Sequence, residues 1–189
     1  CRKDDFGGYD PFDFLNSVVF RALGLDHFEL SRLAWLQLGK RLPINVRPLV
    51  GVPRKRNPKG VALFMLGMHE NFLRTSDPRM LVEAASLGDW LLGQACDRGR
   101  WGHYCWGYHF DWQARAFFVP QGTPNIITSC YVARAMFDVG SATNRQDLID
   151  AACDTAQFIA KSLLTEEGGR SYFAYIPGEL AFVHNASLW

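Results

Sequence analysis

Apolar residues recur along most of this chain at the three- and four-residue spacing of an amphipathic helix. The segment DPFDFLNSVVFRAL predicts a short helix near residues 11 to 23. DHFELSRLAWLQLGKRL predicts a second over about 26 to 41, with Asp26 as its cap and Leu30, Leu33, Ala34 and Leu38 on one stripe. After the loop PLVGVPRKRNPKG, Pro58 opens a third helix, with Ala62, Met65, Leu66, His69 and Leu73 in line. A fourth has Asp77 as its cap and Pro78 at its first position. Leu81, Ala84, Gly88, Leu91 and Ala95 form its stripe, and Gly99 is expected to stop it. TPNIITSCYVARAMFDVG predicts a fifth, with Ile126, Cys130, Ala133 and Phe137 on one face. The sixth is expected to start at a cap on Asn144 and to turn Leu148, Ala152, Ala156, Ile159 and Leu163 inward. Residues 170 to 184 read as extended or irregular, and a seventh helix is expected to begin at Asn185. A short strand or two fits 103–118 or 171–183, but no sheet can be built from this pattern. The chain reads as all-α with elaborate loops.

The even-numbered helices carry an aromatic–aliphatic pair: Trp35-Leu36, Trp90-Leu91 and Phe158-Ile159. The pairs recur every two helices, so the repeating unit is an αα-hairpin, and the chain holds about three. Stacked αα-hairpins bury a common core only with their neighbours, as a solenoid or a closed ring.

One stretch breaks the helical pattern. WGHYCWGYHFDWQARAFFVPQGTPN, residues 101 to 125, crowds large rings into a loop. Loops favour small polar residues, so rings placed there point to a binding surface. Sugars stack their C–H faces on such rings and leave hydroxyls for polar partners. Trp101, Tyr104, Trp106 and Trp112 are the candidate stacking rings, and Arg115 and Asn125 the candidate polar partners. The competing reading is that these rings mainly plug a helical core.

Three features of the composition bear on this. Net charge is +1 with mixed signs, which gives no general pull toward nucleic acid or membrane. No apolar run approaches the ~18 residues of a membrane span. The five cysteines form no CxxC, and their odd count suggests reduced thiols in a cytoplasmic protein. The chain begins at Cys1 and ends in NASLW, so it is expected to be a single partial domain over 1–189 within a longer protein.

For catalysis, Asp111 lies between Phe110 and Trp112, a setting expected to raise its pKa and suit a general acid. Glycoside hydrolysis needs a second carboxylate, for which Glu179 is the candidate, with Asp10 and Asp13 behind it. A structural role for Asp111, pairing with Arg115 or capping loop amides, competes with this. A lyase needs a base and a group to neutralise a uronate, and Tyr108, His109, Asn125 and Arg115 offer those types. Cys96, His103, Cys105 and His109 supply zinc-ligand types, but their spacing, C-x6-H-x-C-x3-H, matches no common zinc pattern. No metal and no cofactor are expected.

The segments GYDPFDFLNS (7–16), RKRNPKGVALF (54–64), WGYHFDWQARAFFVPQGTPNIITSCYVARAMFD (106–138) and SYFAYIPGELAFVHNASLW (171–189) resemble six-hairpin, glycosidase-like α/α-toroid proteins associated with polysaccharide biosynthesis. That resemblance implies an (α/α)6-type toroid, of which this chain would be a partial ring of about three hairpins. It also implies a carbohydrate-active or glycan-binding protein acting through the aromatic loop, as a hydrolase or lyase if it is an enzyme. A non-catalytic scaffold or glycan-binding component is the first alternative. WLLGQACDRGRW also resembles the QW repeat of terpenoid cyclases, with Trp90, Leu91, Gly99 and Trp101 at the expected offsets and Gln94 one position early. A terpenoid-cyclase or prenyltransferase-like toroid enzyme is therefore the second alternative, although the aspartate-rich motif of those cyclases is missing.

Overall fold

The computed structural model describes residues 2–114, 117–180 and 183–184. Helices dominate, and two short antiparallel ribbons are the only paired strands among the described residues. The chain divides into two compact units. One takes residues 1–57 and 109–121, the other 58–108 and 122–189. The aromatic stretch is therefore shared between them.

In the first unit the predicted opening helix breaks in two. A 3-10 turn, Asp13–Asn16, precedes a short helix α1, Val18–Ala22. The break follows from burial of polar groups. Asp13 is almost wholly buried, where it accepts from Arg47 Nε at 2.7 Å and from the Asp10 amide at 2.8 Å. Ser17 caps α1 by accepting from the Phe20 amide. Helix α2, Glu29–Arg41, starts at Phe28, while Asp26 lies in a separate 3-10 turn, Leu25–His27. The buried residues of α2 are Leu36 and Gly39, whereas Leu30 is 82% exposed. The expected stripe of Leu30, Leu33, Ala34 and Leu38 is thus not the buried face. Gly39 decides which face turns inward. A Cβ there would lie 2.3 Å from the Phe14 ring, so the glycine lets that ring lie against the helix. Phe14, Leu15, Phe20, Leu36 and Val52 form the core, and Trp35 stacks between Phe14 and Phe20. A hairpin of β1, Trp112–Gln113, and β2, Phe118–Val119, completes this unit, with Trp112 opposite Val119.

The second unit packs two αα-hairpins, α3 (Pro58–Thr75) with α4 (Pro78–Leu92) and α6 (Ile126–Thr143) with α7 (Gln146–Phe158). Helix α3 also packs on α6. Asp77 caps α4 with Pro78 behind it, as the sequence leads one to expect. Helix α4 ends at Gly93 rather than Gly99, which falls inside a one-turn helix α5, Arg98–Trp101. On α6 the buried residues include Ser129, Val132, Ala135, Met136 and Val139, while Cys130 and Phe137 are exposed. The helix is apolar around most of its girth, so apolar spacing alone does not mark the packed face. Asn144 does not start α7. It ends α6 in the left-handed conformation, φ 55°, a role asparagine shares with glycine. Helix α7 gives way to a π turn, Ile159–Leu163, and then to a ribbon of β3 (Leu164–Glu167) and β4 (Arg170–Phe173). Leu148, Ala152 and Leu163 are buried as expected, but Ala156 is exposed.

Candidate functional site

The outer part of the aromatic stretch, 109–121, builds a polar cleft within the first unit. Gln113 fastens it. Its Oε1 accepts from Arg32 Nε at 2.7 Å, and its Nε2 donates to the Ala114 and Phe117 carbonyls. Arg32 also donates to the Asp26 carbonyl at 2.8 Å, and its guanidinium stands 4.5 Å over the Phe118 ring. Asp111 is held at both oxygens. Oδ2 accepts from Arg21 at 2.7 Å and Oδ1 from the Gln121 amide at 2.7 Å. Beside them is a half-open cleft of about 370 Å³, lined by Leu15, Asp26, His27, Arg32, Asp111, Phe118 and Pro120. One Asp26 carboxylate oxygen is buried without a hydrogen-bond donor, with the His27 ring 3.9 Å away.

Trp112 lies beside this cleft, edge-on to Phe12 and Phe117 at 6.0 and 5.7 Å. His109 stands edge-on to Phe110, and its Nδ1 is buried without a partner. Burial, with the nearby Lys55 charge, pushes its pKa down to about 4, so the ring is neutral near pH 7. Arg115 lies outside the described residues.

The inner part belongs to the second unit and is built as packing. Trp106 is wholly buried, donates from its indole to the Leu91 carbonyl at 2.8 Å, and exchanges hydrogen bonds with Ser129. Gly107 pairs with Pro124, and a Cβ there would meet the Thr123 carbonyl oxygen at 2.0 Å. Asn125 is wholly buried and caps α6 by accepting from the Thr128 amide. Tyr104 stacks on Trp106 at 6.0 Å, and Arg98 lies 4.1 Å over it. Trp101 carries Arg100 at 4.6 Å. The Tyr108 and Tyr175 hydroxyls meet at 3.1 Å, and Tyr175 stacks on His184. His103 Nδ1 lies 2.7 Å from Asp154, whose other oxygen accepts from the Tyr104 amide. Burial pushes the Asp154 carboxyl up, but His103, the Tyr104 N–H and Arg98 outweigh it and hold it below the usual carboxylate range.

The predicted residues thus separate. Asp111, His109 and Trp112 fall in the first unit, and Tyr108, Trp101, Tyr104, Trp106, Asn125 and Glu179 in the second. Asp111 shares its cavity with Asp26. Arg21, Arg32, Asp26 and Phe118 were not among the sequence candidates. Asp26 reads in the sequence as a helix cap, and the Arg21–Asp111 contact spans 90 positions. Among the described residues, no three His, Cys, Asp or Glu side chains are grouped to hold a metal ion. No described helix is long and apolar enough to cross a membrane.

No family model matches the chain, and no curated protein matches it. Two solved chains are similar to it in structure. One is a glycoside hydrolase family 76 mannosidase from Bacteroides thetaiotaomicron VPI-5482, 16% identical with a TM-score of 0.47. The match covers 66% of this chain and 31% of that one, so this chain spans less than a third of that protein's length.

Proposed function

We propose that this chain is a carbohydrate-active or glycan-binding protein that holds a sugar unit in the cleft formed by Asp26, Arg32, Asp111 and Phe118. The observation that supports this reading is the cavity itself. About 370 Å³ of space brings two carboxylates and a guanidinium around an aromatic ring. A sugar needs that combination: an apolar face against Phe118 and acceptors for its hydroxyls. The chain would form part of a larger α/α toroid, with the cleft serving polysaccharide metabolism or biosynthesis.

The anchoring of Asp111 favours binding over acid catalysis. Both its oxygens already accept hydrogen bonds, one from a guanidinium, which suits the group to hold hydroxyls rather than to donate a proton. The test is calorimetric titration with neutral and uronic-acid oligosaccharides, alongside mass analysis of the sugars after incubation. Binding that is lost in both Phe118→Ala and Asp111→Asn supports the cleft. Binding unchanged in both variants overturns it. A product with added water, absent in Asp111→Asn, assigns hydrolysis. A product with an unsaturated end assigns a lyase. Unaltered sugar with intact binding assigns a binding component.

A further inference from the structure

We propose that Cys96 and Cys105 form a redox-modification site, closing to a disulfide by exchange with a small-molecule disulfide. The two residues flank α5 in the second unit. They are joined by a main-chain hydrogen bond, Cys96 N–H to the Cys105 carbonyl at 2.9 Å. A main-chain bond of that length sets the two Cα atoms roughly 5–6 Å apart, within the span a disulfide bridges. Closing the bond brings the sulfurs to ~2.05 Å. Neither thiol takes part in the cleft described above.

The surroundings give the pair a polarity. Both residues are buried, but Cys105 has no exposed surface and Cys96 retains 8%, so Cys96 is the one nearer to an incoming reagent. Cys96 is also the better nucleophile. The Cys105 thiol and the Gly107 N–H hold its pKa down despite burial. Cys105 is pushed up by its bond to Cys96, by burial, and by the charges on Cys96 and Asp154. In the exchange, the Cys96 thiolate attacks one sulfur of the external disulfide RSSR, forming Cys96–S–SR and releasing RS⁻. The Cys105 thiol passes its proton to RS⁻, attacks Cys96 Sγ and expels the second RS⁻, which takes a proton from solvent. The two cysteines lose two electrons and RSSR gains them, leaving two RSH. The product ties the end of α4 to the segment that carries Tyr104 and Trp106.

The test incubates the native chain with oxidised glutathione, alkylates the remaining thiols and maps the digest by mass spectrometry. Trypsin cuts at Arg98 and Arg100, so the link joins two peptides that separate on reduction. The expected result is a Cys96–Cys105 link, with glutathione trapped on Cys96 in Cys105→Ser and none on Cys105 in Cys96→Ser. The oxidised wild-type chain is also expected to melt at a higher temperature than the reduced one. Cys153 is exposed and reports whether the reagent is competent. Glutathione on Cys153 with Cys96 and Cys105 both reduced overturns the proposal, as does a link that forms only in denaturant.

Discussion

The two parts of the aromatic stretch differ in what their rings do. From Trp101 to Tyr108 the rings are fixed by neighbours of their own unit, and Trp106 and Asn125 have no exposed surface. From His109 to Gln121 a two-residue ribbon, held by Gln113, carries Asp111 and Phe118 to the rim of a cavity. A run of aromatic residues is thus two structures in sequence, a plug and a cleft wall. Ring density alone does not tell them apart. What separates them is what lies beside them: the packed helices of the second unit in the first, and the open cleft that Asp111 and Phe118 line in the second.

Substitutions test this contrast, and the largest effect is expected at Gly107. Gly107→Ala forces a Cβ against the Thr123 carbonyl, a backbone group that cannot swing aside. It is expected to cost roughly 4 kcal/mol, read by thermal or denaturant unfolding. A change under about 1 kcal/mol would mean that the inner part is loosely held. Next comes acid. The folded-state pKa of His109 is depressed to about 4, below its ordinary value of 6.5. Its contribution is therefore complete above pH 6.5 and is lost as pH falls toward 4. The loss is on the order of 3 kcal/mol, and a urea titration across that window should show it in the wild type and not in His109→Gln.

Trp106→Phe keeps most of the ring but strands the Leu91 carbonyl and leaves a small void. Unfolding should report a loss of about 2 kcal/mol. Asp154→Asn removes the carboxylate from the His103 contact, and a loss of about 1 kcal/mol is expected. Asp154 is held below the usual carboxylate range, so its contribution is present above that range and disappears as pH falls through the lowered value. The smallest stability effect is expected at Phe118, on the cleft wall. Phe118→Ala should change unfolding by no more than about 1 kcal/mol, the worth of its contact with Arg32, yet weaken sugar binding about tenfold or more. A large stability loss there would make the outer part packing as well and remove the contrast.

Helix positions were legible in the sequence, because burial of one face imposes a period that survives without knowledge of partners. Asp77-Pro78 marked a helix start correctly for the same local reason, whereas the cap at Asn125 was not read from the sequence. Faces were less legible. On α2 Leu30 and Leu38 are exposed, and Leu36 with Gly39 marks the contact, where Phe14 fills the space a side chain would occupy. Asn144 misled because asparagine serves both as a helix cap and as a left-handed terminator. Of the cleft, Asp111 was visible as a carboxylate among rings, but its neighbours were not. Arg21, Asp26 and Arg32 reach it only through folding, and nothing in their local pattern sets them apart from other surface charges.

The π turn at Ile159–Leu163 bears on how this region tolerates change in length. Such a turn holds one residue more than the α-helix around it needs. Deleting exposed Ala160 or Lys161 would restore a regular helix and leave the buried Leu163 facing inward. A deletion in a regular stretch instead turns everything beyond it by about 100°. Related chains that are one residue shorter should therefore carry their gap here, just ahead of the β3–β4 ribbon.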